Sequence, residues 1–318
     1  MLRRAALLFA LTTTPLWAQT AAPEPSANPQ PPLPDIPKLI LDVERNQKAA
    51  EAIQNNYVYR IHRVSEDFSK DGKVKKTTVV DADSLTIDGV RVNRETARDG
   101  KPLTPEEAKK ENERIDKDVA KAKERRAKAE DKGRDTDARG DEMIPASRIL
   151  ELGTFSNPRR ESIDGRDTIA VDYAGDPKAK TRNAGETVIR DLAGTVWIDE
   201  KDRTMVRAEG HFANDFKVGG GLVADIHKGT HFSFRAQKVN GEVWLPATIE
   251  GRGSARMMLF LNFNGAMELT ASDYRKFRTT SNIVGTNGVI GADGQPVPAG
   301  QPVPDPPAPP QPAVNPKP

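Results

Sequence analysis

Apolar and polar residues alternate along most of the chain between residues 57 and 278, and this period of two constrains the fold more than any other feature. Alternation puts every second side chain on one face of a β-strand, so that one face packs and the other meets solvent. The apolar members form a predicted wall: Tyr57, Tyr59, Ile61, Ile169, Val171, Val196, Ile198, Phe232, Phe234, Met257, Leu259 and Leu261. The pattern therefore predicts a series of half-buried strands.

Turn dipeptides separate these alternating runs. Asn-Gly and Asp-Gly suit the tightest hairpins, because both central residues of a type I′ turn need a positive φ. Five such pairs are present: Asp71-Gly72, Asp88-Gly89, Asp164-Gly165, Asn240-Gly241 and Asn264-Gly265. They predict consecutive antiparallel hairpins, and a meander of roughly nine to eleven strands must curl or close.

Two segments have a helical pattern instead. From Leu39 to Ile53 apolar residues recur at partly helical spacing, which predicts one N-terminal helix that covers an open face of the sheet. The second segment is a long charged insertion at 104–140. The predicted fold class is therefore α+β, with a curved antiparallel sheet, a covering N-terminal helix and a charged helical insertion.

The insertion has its own helix signals. Thr104 suits the N-cap, Pro105 the first helical position and Glu107 the third position of a capping box. Of the 34 residues from 106 to 139, 23 are charged. The apolar stripe is thin: Ala108, Ile115, Val119, Ala122 and Ala129. We expect this helix to dock weakly, to be largely solvated and mobile relative to the sheet, and to fray after about Ala129. It is interpreted either as a lid or docking arm or as a plain solvated insertion.

Proline and aromatic residues mark the boundaries of the packed region. Of 25 prolines, seven lie in residues 19–38 and eleven in residues 292–318. Proline-rich segments adopt an extended, solvated backbone and bury little. We therefore expect disordered spacers at 19–38 and 285–318, on either side of a folded domain at 39–284.

The first 18 residues have the pattern of a secretory signal. Arg3 and Arg4 precede an apolar run from Ala5 to Leu11, and Ala18 stands at the expected cut. A helix of that length rises about 10 Å, far less than the roughly 30 Å of a bilayer core. No other apolar run approaches membrane-spanning length, so no transmembrane segment is predicted. The expected location is periplasmic or secreted, after cleavage near Ala18.

Charge and composition exclude several classes of function. Without Arg3 and Arg4 the chain has 46 basic and 46 acidic side chains, so it lacks the basic excess that drives binding to nucleic acid. The absence of cysteine excludes disulfides, thiolate metal sites and a cysteine nucleophile.

Candidate catalytic and metal-binding residues are few. His211, His227 and His231 could form a three-histidine zinc site, although no HExxH pattern accompanies them. Acid pairs such as Asp172 with Asp176, and Asp199 with Asp202, are more typical of turn geometry than of acid–base catalysis. No nucleophile, base and orienting partner occur together. No catalytic residue, metal site or cofactor is therefore predicted.

An open curved sheet could offer an apolar groove. Such a groove would bury an acyl chain at roughly 0.8 kcal/mol per methylene. The same side chains could instead pack on the covering helix and fill the interior, and the sequence does not separate these alternatives.

Several segments resemble one known family. The runs Thr195–Asp199 and Thr204–Arg207 look like a strand pair of LolA/LolB-type periplasmic lipoprotein-carrier domains. Asn240–Pro246 resembles the next hairpin of their outer-membrane lipoprotein-sorting relatives, and Tyr274–Phe277 resembles the closing strand. The resemblance covers roughly residues 57–278. It implies an unclosed β-barrel with a helical lid, located in the bacterial envelope and binding acyl chains without catalysis.

Three hypotheses follow. The leading one is a non-enzymatic envelope protein that holds the acyl chains of a lipid or lipoprotein against the predicted wall. The second is an interaction or sensor module on the same fold, which binds an envelope protein through the charged helix at 104–132. The third is a hydrolase or metalloenzyme that uses the three histidines.

Overall fold

The computed structural model describes residues 31–218, 224–257 and 261–277, together with two short strands further along the chain. Four helices lie among the described residues: α1 (Ile36–Gln54), α2 (Pro105–Glu130), α3 (Ala146–Leu152) and α4 (Ala184–Arg190). The strands are β1 (Tyr57–Phe68), β2 (Val74–Ile87), β3 (Val90–Arg98), β4 (Lys101–Pro102), β5 (Gly153–Ile163), β6 (Arg166–Gly175), β7 (Leu192–Asp199), β8 (Thr204–Phe212), β9 (Phe216–Val218), β10 (Ala224–Ile226), β11 (His231–Val239), β12 (Val243–Met257), β13 (Leu261–Lys276), β14 (Val289–Ile290) and β15 (Pro296–Val297).

Thirteen of these strands form one antiparallel sheet. The path across it is β4-β3-β2-β1-β13-β12-β11-β8-β7-β6-β5, and β9 and β10 extend from β12. Within the described strands β4 and β5 end this path, so the sheet does not close on itself. The predicted α+β class, with an unclosed curved sheet and an N-terminal helix, is confirmed.

Most neighbours on this path are also neighbours in sequence, as the hairpin series predicts. The important exception is β1, which pairs with β13 over ten residue pairs from Tyr57–Lys276 to Asp67–Gly265. The first long strand of the sheet therefore lies beside the last one.

The predicted hairpin turns are largely confirmed. Asp88-Gly89 and Asp164-Gly165 both have positive φ at each residue, and each joins two adjacent strands directly. Asn240-Gly241 lies in a three-residue connection, because Val239 pairs with Val243. Asp71-Gly72 lies in the longer loop between β1 and β2.

The fifth predicted turn, Asn264-Gly265, is wrong. Both residues lie inside β13, paired with Ser254 and Gly253 of β12. The reversal occurs earlier, since Met257 pairs with Leu261. Gly265 is needed for close approach rather than for a turn, because a Cβ there would lie 1.8 Å from the carbonyl oxygen of Glu66.

Helix α1 begins at Ile36, slightly before the predicted Leu39. Asp35 caps it by accepting a hydrogen bond from the Lys38 backbone N–H at 2.9 Å, and a proline in the first turn has no N–H to satisfy. Leu39, Ile40 and Val43 are buried against the sheet. Each such side chain contributes about 1.5–3 kcal/mol when fully buried. We call the sheet face under α1 the inner face.

Helix α2 begins as predicted but docks more firmly than predicted. The capping box between Thr104 and Glu107 is present, and the helix ends at Glu130. The expectation of a weakly docked helix is wrong, because Ile115, Val119 and Ala122 are buried against strands β2 and β3. The stripe is thin, yet Leu85, Val90 and Val92 form a complementary apolar surface beneath it.

The charged side chains of the insertion complete the edge of the sheet. Strand β3 has only the two-residue β4 as its outer partner, which would leave edge N–H and C=O groups bare. Three hydrogen bonds cover that edge: the Arg91 N–H to the Ala138 carbonyl (2.7 Å), the Glu95 N–H to Glu111 Oε1 (2.7 Å), and Arg114 Nη2 to the Asn93 carbonyl (2.8 Å). The insertion thus protects an edge strand against pairing with another chain.

Ile115→Ala tests whether the insertion is structural. We expect it to lower the free energy of unfolding by about 3 kcal/mol, because it removes a fully buried side chain and leaves a cavity. Lys121→Ala, on the exposed side of the same helix, should change it by less than about 0.5 kcal/mol. Urea unfolding of both variants measures the difference, and equal values would contradict firm docking.

Several predicted features lie wholly or partly outside the described residues. The signal at 1–18 does so entirely, as do most of the spacers at 19–38 and 285–318. Within the second spacer, β14 and β15 pair with each other. The short helices α3 and α4 are not predicted from the sequence.

Candidate functional site

Part of the predicted apolar wall is covered by α1. Ile169, Val171 and Ile198 are at most 1 % exposed and pack on the helix, with Val196 half-buried at the margin. The protein's own side chains fill the inner face at this point.

A second part of the wall is also packed. Tyr57, Tyr59 and Ile61 lie in a cluster with Val243 and Leu245 of β12. The Tyr57 hydroxyl donates to Glu242 and accepts a hydrogen bond from Asn240 Nδ2 at 2.9 Å. These three residues contribute to the core in this structure.

The remaining predicted wall residues lie elsewhere. Phe232 is 37 % exposed and Phe234 is half-buried. Met257 ends β12 and Leu261 begins β13, where their backbones pair, and Leu259 lies outside the described residues. The open part of the predicted site is therefore the surface around Phe232 and Phe234.

The strand register places Phe232 and Phe234 on the inner face. Val171 packs under α1 and begins a row of cross-strand pairs. The row continues through Val196 and Ala208 and ends at Phe234. Paired residues of adjacent strands share a face, and so do residues two apart on one strand. The same apolar face therefore continues past α1 to Phe232.

A row of glycines leaves this part of the face unfilled. One row of cross-strand pairs runs over β7, β8, β11, β12 and β13. Its members, in that order, are Gly194, Gly210, Phe232, Gly251 and Met267. The Phe232 ring lies over Gly210, since a Cβ there would be 2.5 Å from the ring. Within the described part of the chain, a Cβ on Gly251 would meet only the His231 carbonyl oxygen, at 4.0 Å. The face is open beside Phe232.

A cavity of about 1090 Å³ borders this row, but most of its lining residues, among them Glu209, Ser233 and Glu250, alternate with Phe232 and Gly251 and therefore lie on the opposite face of the sheet. We call the open part of the inner face the groove and define it by Tyr173, Gly194, Gly210, Phe232, Phe234 and Gly251. Burial at its end raises the pKa of the Tyr173 hydroxyl to about 12, so this phenol stays neutral.

The charged residues of these strands point away from the groove, because they alternate along each strand with the inner-face residues. Their contacts are local: Arg207 with Glu209, Arg235 with Asp164 and Glu250 with Ser233. The residues that define the groove are themselves uncharged.

A second cavity of about 470 Å³ lies between the insertion and the inner face. Ile61, Val80 and Leu269 supply apolar walls, and Arg63, Arg91 and Arg139 supply positive charge. We call it the arginine pocket and define it by these six residues. Sequence reasoning missed it, because its arginines come from two strands and the end of the insertion and share no motif.

Arg91 is the buried member of this pocket. Its side chain donates to the carbonyl oxygens of Tyr57, at 2.7 Å, and Gln54, and its guanidinium lies over the Tyr59 ring. Burial lowers the pKa of Arg91, and the nearby Arg139 charge lowers it further. Among the residues that the structure describes, this guanidinium has carbonyl and aromatic partners and no carboxylate in hydrogen-bond contact.

The candidate histidines do not form a cluster of metal ligands. His211 and His231 are neighbours across β8 and β11, and His227 lies 3.8 Å from Asp215. Within the described residues, no three His, Cys, Asp or Glu side chains are grouped so as to hold a metal ion.

One member of each acid pair serves a turn, as the sequence predicts, whereas Asp172 lies within β6 and accepts hydrogen bonds from the side chains of Asn157, Arg159 and Thr195. Asp199 Oδ1 accepts hydrogen bonds from the backbone N–H groups of Lys201 (3.1 Å) and Asp202 (2.7 Å). Asp176 accepts one from the Lys178 N–H at 2.9 Å in the same way.

No helix in the described part of the chain has the length and apolar character needed to cross a bilayer.

Comparisons with known proteins give structural likeness only. No family model matches the sequence, and no curated protein matches it. Among solved structures, a domain assigned to outer membrane lipoprotein sorting from Vibrio parahaemolyticus is 12 % identical, with a TM-score of 0.34, covering 76 % of this chain and 94 % of that one. A LolA superfamily protein from Nitrosomonas europaea is 12 % identical, with a TM-score of 0.29, covering 74 % and 93 %.

A third match is a DUF1329 family protein from Desulfovibrio piger, 11 % identical with a TM-score of 0.27, covering 79 % of this chain and 93 % of that one. All three TM-scores lie below 0.5. The chain is similar in structure to a LolA superfamily protein, the family that its sequence motifs also resemble.

Proposed function

We propose that this protein is a non-enzymatic binding protein of the bacterial envelope that holds an acyl chain of a lipid or lipoprotein in the groove. The observation that carries the proposal is the open inner face at Gly251, beside the exposed ring of Phe232. An apolar face that the protein leaves unfilled can bury a hydrocarbon chain, at roughly 0.8 kcal/mol per methylene.

The proposal also gives a role to the part of the predicted wall that α1 covers. Ile169, Val171, Ile198 and the Tyr57 cluster lie on the same face, under or beside α1. A longer acyl chain would reach them only if α1 moves aside, as a helical lid would. The signal-like start of the sequence, the family resemblance and the absence of a predicted catalytic constellation support the envelope location and the non-enzymatic role.

Filling the groove tests the proposal. Gly251 has ordinary extended backbone, so Gly251→Leu should fold and place a side chain beside Phe232. That side chain replaces about four methylenes of ligand contact, so fluorescent fatty acid should bind roughly 100-fold more weakly. The measurement is a fluorescence titration of purified full-length protein.

Thr270→Leu is the matched control. Thr270 lies on β13 and is exposed, and its register with Thr248 places it on the face opposite Phe232. This variant should bind the fatty acid as the unchanged protein does. Lipid extraction of the protein after periplasmic purification should also yield an acyl species. Failure of the unchanged protein to bind the fatty acid, with no extracted lipid, would overturn the proposal.

The docking-arm alternative has less support. The apolar stripe of α2 is buried against β2 and β3 and is unavailable to a partner. Deleting residues 101–141 would also expose the edge of β3. A loss of partner binding in that variant could then come from damage to the sheet rather than from loss of the helix. Charge reversal on the exposed side of α2 tests this alternative more cleanly.

A further inference from the structure

The arginine pocket has more positive than negative charge on its walls. Five arginines and three acidic residues line it. Each acid already has an arginine partner: Asp118 with Arg114 (2.6 Å), Asp141 with Arg125 (3.0 Å) and Glu95 with Arg98 (2.8 Å). Within the described residues, the charges of Arg63, Arg91 and Arg139 are therefore left without a carboxylate partner.

These three arginines differ in how they are held. Arg91 is 9 % exposed and fixed by the backbone carbonyls of Gln54 and Tyr57. The exposed side chains of Arg63 and Arg139 make no hydrogen bond or ion pair with the described part of the chain. A fixed buried guanidinium with two adjustable ones at the rim suits an anionic group, which accepts charge-assisted hydrogen bonds from several donors.

The pocket adjoins the groove. Leu269 belongs to the pocket, and Met267, two residues before it on the same face of β13, pairs with Gly251 of the groove. Two residues of a strand span about 7 Å. The apolar groove and the charged pocket thus meet along β13, as the two halves of an amphiphile require.

We propose that the arginine pocket binds the phosphate or carboxylate group of an anionic amphiphile, with its chain lying in the groove. The proposal rests on the acyl-binding function proposed above for the position of the chain. The anionic group could also arrive as a free ion, and the experiment distinguishes these two sources.

Three probes separate head from chain: decyl phosphate, decanol and inorganic phosphate. Calorimetric titration of the full-length protein at 50 mM salt should give decyl phosphate an affinity at least tenfold higher than decanol. In the double variant R63Q/R139Q this advantage should fall to less than threefold, while decanol binds unchanged. Both substituted side chains are exposed, so the fold should be retained.

The control is R182Q/R275Q, which removes the same charge from exposed positions outside both cavities and should leave the advantage intact. Equal affinity for decyl phosphate and decanol in the unchanged protein would overturn the inference, as would an advantage that survives in R63Q/R139Q. If inorganic phosphate binds as tightly as decyl phosphate, depends on Arg63 and Arg139, and decanol does not bind, the anion site stands and acyl binding fails. If decanol binds but decyl phosphate has no advantage, acyl binding stands and the anion site fails.

Discussion

Gly265→Val is expected to destabilise the protein by about 4 kcal/mol or more, or to prevent folding. A Cβ at this position would lie 1.8 Å from the backbone oxygen of Glu66, and a backbone atom cannot turn aside as a side chain can. The strands β1 and β13 would have to separate where Asp67 pairs with Gly265. Urea unfolding measures the loss, and hydrogen exchange in β1 locates it.

Gly251→Val is the matched control for this prediction. It places the same side chain on the adjacent strand β12, where a Cβ has open space. Valine is favoured over glycine in strands, so this variant should be neutral or more stable by up to about 1 kcal/mol. Similar losses in both variants would show that the close approach at Gly265 is not the cause.

Asp199→Ala is expected to lower the free energy of unfolding by about 3 kcal/mol. Asp199 is 1 % exposed and receives two hydrogen bonds from Arg166, at 2.6 and 2.9 Å. It also accepts the backbone N–H groups of Lys201 and Asp202 in the β7–β8 turn. Removing this buried carboxylate leaves Arg166 with Asp202 as its remaining acidic partner and leaves two turn N–H groups without their acceptor.

Asp199→Asn separates charge from shape in the same site. The amide retains one acceptor oxygen and the size of the side chain, so we expect about half of the loss. Chemical unfolding of both variants checks this order. A loss below about 1 kcal/mol for the alanine variant would mean that Asp202, which also accepts from Arg166, compensates for Asp199.

Features set by neighbours in sequence are the ones that the sequence predicts well. The capping box at Thr104 and the turns at Asp88-Gly89 and Asp164-Gly165 depend on two to four adjacent residues, and all are confirmed. Asn264-Gly265 shows the limit of such reasoning. The same dipeptide that suits a turn also suits a strand crossing close to another backbone, and only the partner strand decides between them.

The candidate site depends on contacts between distant segments, and sequence reasoning recovers only part of it. Alternation correctly assigns Phe232 and Phe234 to strand β11 but does not reveal that α1 stops short of them. The arginine pocket has no local signal, because Arg63, Arg91 and Arg139 meet only when the insertion folds over the sheet edge. Neither a motif nor a periodicity brings these arginines together.

The pairing of β1 with β13 also determines when the sheet can be completed during synthesis. Strand β13, which lies beside the groove, is among the last parts of the folded region to be synthesised. Its partner β1 is among the first. Pairings between such distant segments carry a high entropic cost of closure and form slowly. A nascent chain must therefore keep β1 paired with β2 alone until residue 276 has emerged.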